Sequence, residues 1–234
     1  MKHRNLEQLI SSYPRQRPSL TPAHQRIYES EYKQNRQGQT RTSAVSQWLE
    51  GWMHKKVATH SSENILELGA GTLNHVPYEK SSYYDIVEPF RSLYADSPYL
   101  RRIRNVYDSI HAIPDSCTYS RIISVAVLEH IQDLPDVLTK ARELLEDDGI
   151  FQAGIPCEGA FLWGLAWRMS TGLAYRLRTG LSYGTIMRHE HVNTYFEITA
   201  LVEHVFKNIH ITYYPLPFVH GAFYAYIEAW KNPR

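Results

Sequence analysis

The spacing of apolar residues changes near residue 60. Upstream of that point, apolar side chains recur every three or four positions, which predicts an amphipathic helix over about 44–58. The residues that carry this pattern are Val45, Trp48, Leu49, Trp52 and Met53. Downstream, short apolar runs alternate with helical stripes. We therefore predict that residues 1–60 form an N-terminal helical arm and that residues 61–234 form the main domain.

Seven short apolar stretches in the main domain are typical of strands. They lie near 64–69, 83–88, 103–107, 121–128, 150–156, 208–215 and 221–230. Helices are predicted between them over about 90–97, 133–149 and 194–206. Strands that alternate with helices indicate a doubly wound α/β sheet with right-handed crossovers. We predict a Rossmann-like, seven-stranded and mostly parallel sheet, to which the last two strands add one antiparallel member.

Boundary residues refine these helices. Asp133 can cap the second predicted helix, Pro135 suits its first turn, and Gly149 is expected to end it. The third helix has Thr194 at its cap position and Glu197 three residues later, which is the capping-box spacing. A segment at about 157–190 interrupts the alternation of strands and helices. We predict that it forms an inserted lid over the substrate.

Candidate chemistry follows the first two strands. The first ends in Glu67-Leu-Gly69-Ala-Gly71, where glycines permit a tight turn and a close approach to a ligand. The second ends in Glu88, whose carboxylate can accept hydrogen bonds from both hydroxyls of a ribose, while Glu67 can face an ammonium group. In such a sheet, ligands bind beyond the carboxyl ends of the strands. Asn74 stands where a dinucleotide fingerprint needs its third glycine, which disfavours NAD.

Together, four segments resemble the class I S-adenosylmethionine-dependent methyltransferases, nearest to the branch of small-molecule and ubiquinone-type enzymes. They are Glu67-Leu-Gly-Ala-Gly, Ile86-Val-Glu-Pro, Val127-Leu-Glu-His-Ile-Gln-Asp and Leu144-Leu-Glu-Asp-Asp-Gly-Ile-Phe. The resemblance covers about 62–156 well and 193–230 more loosely. Two departures are Tyr119-Ser120, where the family often has Phe-Asp, and Thr72-Leu73, where a third glycine is common.

The resemblance implies S-adenosylmethionine as the cofactor and assigns twelve residues to it. Those at the methionine end are Glu67, Gly69, Ala70 and Gly71, with Glu88 at the ribose. Those beside the adenine are Pro89, Phe90, Asp108, Ser109 and Ile110, and those near the sulfonium are Val125 and Ala126.

The predicted lid carries the clue to the methyl acceptor. Residues 160–188 contain four arginines and no Asp or Glu, interleaved with aromatic residues. Arginine binds phosphate and carboxylate, and aromatic faces stack on sugars or bases. We predict an anionic small-molecule acceptor such as a nucleotide-sugar or phosphorylated glycan, in contact with Trp163, Arg168, Arg176, Arg178, Arg188 and Glu190. A helical cap with solvated arginines and a patch touching a membrane surface remain alternatives.

Methylation of a hydroxyl benefits from a general base. The candidates are His130, His189 and His191. Because Glu129-His130 recurs in the resembling branch whatever the substrate, a structural role for this pair stays open. Two histidines at i and i+2 can also ligate a metal, but we predict a site without metal.

Charge and cysteine usage exclude some classes. The formal net charge is +1, yet residues 1–60 hold ten Lys/Arg against four Asp/Glu and the remainder holds 15 against 20. This balance argues against a dedicated nucleic-acid binder. Two cysteines form no disulfide framework, and the first thirty residues lack an apolar signal-like run, so we predict a cytoplasmic protein.

We predict transfer of a methyl group from S-adenosylmethionine to a hydroxyl of a sugar or glycan precursor. The alternatives are a carbon- or nitrogen-directed methyltransferase, a non-catalytic S-adenosylmethionine-binding protein and a nicotinamide-dependent oxidoreductase. The oligomeric state stays open.

Overall fold

The computed structural model describes residues 2–36, 44–60 and 62–232. Three helices precede the sheet: α1 (Lys2–Ser11), α2 (Pro22–Arg36) and α3 (Ala44–Val57). The third helix confirms the one that the apolar spacing predicts, and its Met53 packs on the backbone of the sheet at Gly154.

The seven strands form one sheet in the order β3-β2-β1-β4-β5-β7-β6. They are β1 (Asn64–Leu68), β2 (Tyr83–Val87), β3 (Asn105–Tyr107), β4 (Tyr119–Val125), β5 (Leu145–Pro156), β6 (Ile209–Pro215) and β7 (Ala222–Trp230). Strand β7 is antiparallel to both of its neighbours, and the five strands from β3 to β5 pair in parallel. The predicted mostly parallel sheet is therefore confirmed. The strand order reverses between β1 and β4, which places a ligand crevice at their carboxyl ends.

Three helices connect the strands: α4 (Arg91–Tyr94), α5 (Leu134–Leu144) and α9 (Tyr195–Phe206). Helix α4 is shorter than predicted. The predicted cap of α5 is wrong, because the Asp133 side chain makes no capping hydrogen bond. Its predicted end at Gly149 is also wrong, since Leu145 pairs with Tyr119 of β4 and already belongs to a strand. The start of α9 is as predicted, with the Glu197 carboxylate accepting from the Thr194 N–H and hydroxyl, each at 2.8 Å.

Between β5 and α9 the chain leaves the sheet. This segment forms α6 (Phe161–Trp167), a π-helical turn (Arg168–Gly172), α7 (Leu173–Thr179) and α8 (Tyr183–Glu190). Gly180 ends α7 in the left-handed conformation that glycine adopts without strain, at φ +72°. Among the described residues, no helix combines the length and the apolar character that crossing a membrane requires.

The core lies on both faces of the sheet. Successive side chains of a strand point to opposite faces, so Leu66 and Leu68 enter the larger cluster under α5 and α9. Ile65 enters the smaller cluster together with Val57 of α3. By the same alternation, Glu67 points to the α3 side of the sheet.

Candidate functional site

A glycine turn follows β1. Gly69 and Gly71 have φ values of +68° and +50°, in the left-handed region. A Cβ at Gly69 would lie 2.5 Å from Cγ1 of Val127, whereas a Cβ at Gly71 would meet nothing within 4 Å. Gly69 therefore lets the loops after β1 and β4 approach each other, while Gly71 borders open space that a ligand can enter.

Gly69→Ala is expected to lower the free energy of unfolding by about 2–4 kcal/mol, because the added methyl group overlaps Val127 and the residue must also keep a left-handed backbone conformation. Gly71→Ala is the matched control, because its added methyl group meets no other atom. Only the left-handed backbone conformation then lowers the stability, by about 1 kcal/mol. Urea unfolding of Gly69→Ala, Val127→Ala and the double variant measures the coupling. Strictly additive losses would contradict the steric explanation.

Glu88 joins the turns that follow β1 and β2. Its side chain is buried, and its Oε2 accepts the Gly71 N–H at 2.9 Å while its Oε1 accepts the Phe90 N–H at 2.9 Å. A carboxylate offers about four acceptor positions. Each oxygen can therefore accept one further donor, and two adjacent hydroxyls of a ribose match that capacity.

Glu67 is buried on the α3 side of the sheet. The Tyr84 hydroxyl of β2 donates a hydrogen bond to its carboxylate at 2.7 Å. Burial raises the pKa of Glu67 to about 7, despite the opposing effects of His75 and Tyr84. The contact with an ammonium group that the sequence predicts stays a prediction.

Glu67→Gln is expected to stabilise the protein at pH 8 and to change little at pH 4.5. The pKa of about 7 lies above the ordinary 4.5, so the folded protein keeps a proton that the unfolded chain loses between these values. Stability therefore falls as pH rises through this window and stays low above it. A neutral glutamine does not lose this stability, so the free energy of unfolding at pH 8 should be about 3 kcal/mol higher in the variant. Chemical denaturation at both pH values measures it, and an equal gain at both would contradict a titration effect.

The residues assigned to the adenine and the methionine end occupy different environments. Pro89, Phe90, Asp108 and Ser109 are exposed, and the Ser109 hydroxyl caps the turn that follows β3. The side chains of Ala70 and Ile110 are buried in the core. For these two residues, a contact with cofactor would have to involve the backbone.

The end of β4 is conformationally unusual. Ala126 has φ +55°, which is uncommon for a residue other than glycine, and its N–H donates to the Gly154 carbonyl at 2.8 Å. Such outliers cluster at functional sites. Here the left-handed residue turns the chain from Val125 toward Glu129 and His130.

Four side chains converge beyond this turn: Glu129, His130, Glu158 and His191. The rings of His130 and His191 meet edge to face, with 4.7 Å between their centroids. His191 Nδ1 is hydrogen-bonded to the Glu158 carboxylate, and His130 Nδ1 lies 2.9 Å from the Glu190 carbonyl oxygen. We call these four residues the acceptor cluster.

Charge in the acceptor cluster is only partly compensated. Glu129 is 2% exposed, its Oε2 has no hydrogen-bond partner among the described residues, and burial raises its pKa. Burial favours neutral His191, but the hydrogen bond to Glu158 and the charges of nearby carboxylates outweigh it and raise the pKa of His191. A histidine oriented by a carboxylate is a suitable general base. One ligand atom from each of Glu129, His130 and His191 lies within 4.8 Å of the others, a spacing that a metal ion can also bridge.

His189 lies apart from the acceptor cluster. Its Nδ1 is 2.7 Å from the Pro18 carbonyl oxygen, and its ring packs edge-on against Tyr28. Of the three histidines that the sequence offers as bases, the structure thus brings together only His130 and His191.

One cavity adjoins the acceptor cluster, and a second cavity shares part of its wall with the first. The first, of about 420 Å³, is lined by Glu158, Trp163, Arg168 and Arg188, among others. The second, of about 580 Å³, has Arg168 and Arg176 in its wall. The lining of neither includes Arg178, whose guanidinium lies over the Tyr175 ring. Glu190 is hydrogen-bonded to the Tyr28 hydroxyl.

The N-terminal arm packs against the chain beside these cavities. The Tyr13 hydroxyl donates to Asn193 Oδ1 at 2.6 Å, Arg15 pairs with Glu197 at 2.6 Å, and His24 Nε2 lies 3.0 Å from the Ser182 carbonyl oxygen. We call residues 13–28 the strap. Sequence reasoning left its position open and did not single out Glu158. No motif or spacing in the sequence marks either one.

No model of a known protein family matches this chain, and no curated protein sequence matches it. Solved structures do share its fold. A SAM-dependent methyltransferase from Thermotoga maritima superposes with a TM-score of 0.57 at 14% identity, over 77% of this chain and 88% of that one. The plantazolicin methyltransferase BpumL, in complex with SAH, superposes with a TM-score of 0.57 at 11% identity, over 99% of this chain and 100% of that one. An O-methyltransferase family protein from Burkholderia thailandensis superposes with a TM-score of 0.51 at 9% identity, over 80% of this chain and 57% of that one. The chain therefore has the fold of SAM-dependent methyltransferases.

Proposed function

We propose that this protein transfers a methyl group from S-adenosylmethionine to a small molecule. The observation that carries the proposal is the Glu88 carboxylate, which is buried between the first two turns and keeps acceptor capacity on both oxygens. The methyltransferase fold supports it, because in such sheets a ligand binds where the strand order reverses. Glu88 stands at this edge.

The residues present fit this cofactor. Gly71 leaves space at the turn for the methionine portion, Glu88 can bind the ribose hydroxyls, and the half-exposed ring of Phe90 offers an apolar face to the adenine. Val125 ends β4 at the same edge of the sheet, and Ala126 follows it. When bound, the cofactor supplies a methyl group made electrophilic by the positive sulfonium.

For the acceptor we propose a hydroxyl of an anionic sugar or glycan precursor. Arg168 and Arg188 line the 420 Å³ cavity and can pair with phosphate or carboxylate, and Trp163 can stack on a sugar face. Of the charged residues that the sequence assigns to the substrate, these two line the same cavity as Glu158.

The acceptor cluster would remove the proton from the acceptor hydroxyl. Glu158 holds His191 through Nδ1, which leaves Nε2 to take the proton of the acceptor hydroxyl. The cofactor that Gly71 and Glu88 would hold would supply the methyl group and keep the electron pair of the bond that releases it, while His191 would hold the proton of the acceptor hydroxyl at Nε2.

Two measurements test the function. Calorimetry with S-adenosylmethionine and with NAD should show binding of the former only. A screen with cofactor labelled on the methyl group, weighted toward nucleotide-sugars and phosphorylated glycans, should show incorporation that depends on an acceptor. Binding without transfer to any acceptor would favour a non-catalytic binding protein, and label on carbon or nitrogen would overturn the hydroxyl acceptor.

A further inference from the structure

An apolar ridge runs along the helical segment between β5 and α9. Helix α6, the π-helical turn and α7 follow one another without a break from residue 161 to 179. Large apolar side chains occupy every fourth position and are 42–80% exposed, although burial is their usual state. They are Phe161, Leu165, Met169, Leu173 and Leu177. We call these five residues the ridge.

The π-helical turn keeps the ridge on one side. In an α-helix, positions four apart drift by about 40° around the axis at each step. The turn at 168–172 has i→i+5 hydrogen bonds and hence more residues per turn, which reduces that drift in the middle of the segment. The five side chains therefore stay closer to one face than they would on a regular α-helix.

The apolar surface continues beyond the ridge onto two neighbouring elements. The Phe161 N–H donates to His220 Nδ1 at 3.4 Å, in the connection between β6 and β7. Leu216 and Phe218 of that connection are about half exposed, and the half-exposed Phe196 packs on the His220 ring. A large exposed apolar surface on a folded domain marks an interaction site.

The charged residues around the ridge indicate what kind of partner it would bind. Residues 159–189 contain no Asp or Glu, whereas the chain after residue 60 is acidic overall. Arg168, Arg176 and Arg178 lie within the ridge segment and are exposed. Exposed apolar side chains flanked only by cations are the pattern of a helix that lies in the interface of an anionic bilayer.

We propose that this face docks on an anionic lipid membrane, with the ridge in the headgroup region and Arg176 and Arg178 at the lipid phosphates. The docking needs no methyl transfer and so stands apart from the proposed function. Because Arg168 also lines both cavities, docking would bring the acceptor side of the molecule to the bilayer.

Co-sedimentation with vesicles tests the proposal. The protein is expected to bind vesicles that contain phosphatidylglycerol, to bind pure phosphatidylcholine weakly, and to be released by salt. Replacing Phe161, Met169 and Leu177 together with serine should reduce binding to the anionic vesicles about tenfold or more. The matched control replaces Tyr83, Tyr99 and Val106, which are exposed by 36–52% elsewhere on the surface.

The outcomes are distinct. Calorimetry with S-adenosylmethionine and thermal unfolding show whether the ridge variant is folded, so a lost bilayer contact is separable from a lost fold and from failure of the proposed function. Equal losses in ridge and control variants would overturn the proposal. Vesicle binding by the ridge variant that equals that of the parent would overturn it as well. Concentration-dependent self-association without vesicle binding would assign the ridge to a second copy of this chain and reject the membrane.

Discussion

Glu88→Ala is expected to weaken S-adenosylmethionine binding at least about 100-fold. Each hydrogen bond to a charged group contributes about 1.5–3 kcal/mol, and the variant loses the two that the carboxylate would accept from a ribose. It also leaves the N–H groups of Gly71 and Phe90 without their acceptor, so both turns lose their shared anchor. Every 1.4 kcal/mol corresponds to about a tenfold change in affinity, which gives the expected size.

Isothermal titration measures this loss, and two further variants sharpen it. Glu88→Gln keeps the size of the side chain but can accept only through one atom, so an intermediate affinity is expected. Glu203→Ala removes an exposed carboxylate from α9 and should bind like the parent. Thermal unfolding verifies that each variant is folded. If Glu88→Ala binds S-adenosylmethionine as tightly as the parent, the ribose assignment is wrong.

His191→Asn is expected to lower kcat by about 10²–10⁴ with a hydroxyl acceptor, the usual contribution of a positioned base. KM should change less, because the proposed role lies in proton transfer and not in binding. His189→Asn is the matched control, since His189 contacts the strap and lies apart from the acceptor cluster. Equal losses in the two variants would contradict the assignment.

A second variant separates a base from a merely structural residue. Glu158 contributes to raising the pKa of His191, so Glu158→Gln should lower that pKa and move the acid limb of the kcat profile to lower pH. An unshifted limb would exclude His191 as the titrating base. Dialysis against a chelator tests the other use of the cluster. Activity lost on chelation and restored by one divalent cation would show that turnover needs a metal ion, for which Glu129, His130 and His191 have a suitable spacing.

The sheet was predictable because each strand carries its own apolar signal. The run at 64–69 and the glycines after it predict β1 and its turn without reference to the rest of the chain. Glu88 was predictable for the same reason, since its place at the end of a strand is local information. The failure at Gly149 arose where tertiary pairing decided the outcome, because Leu145 already pairs with Tyr119. The structure shows no comparable contact behind the missing cap at Asp133.

The acceptor cluster was only partly predictable. His130 and His191 are polar residues that follow predicted elements, so the sequence marks both as candidates. Nothing local distinguishes His191 from His189, because side-chain direction at a helix end depends on what packs there. Glu158 and the strap depend on contacts between distant parts of the chain, which no periodicity reports.

The strap has a consequence for how the protein folds. Its contacts with Asn193 and Glu197 join residues 180 and 182 positions apart, whereas Glu88 and Gly71 are 17 apart. Closing a long loop costs more chain entropy than closing a short one, and non-local contacts form slowly. The turns that follow β1 and β2 can therefore assemble from a single local stretch, whereas the contacts of the strap are expected to form last and to open first. Partial unfolding would then abolish turnover before it abolishes cofactor binding.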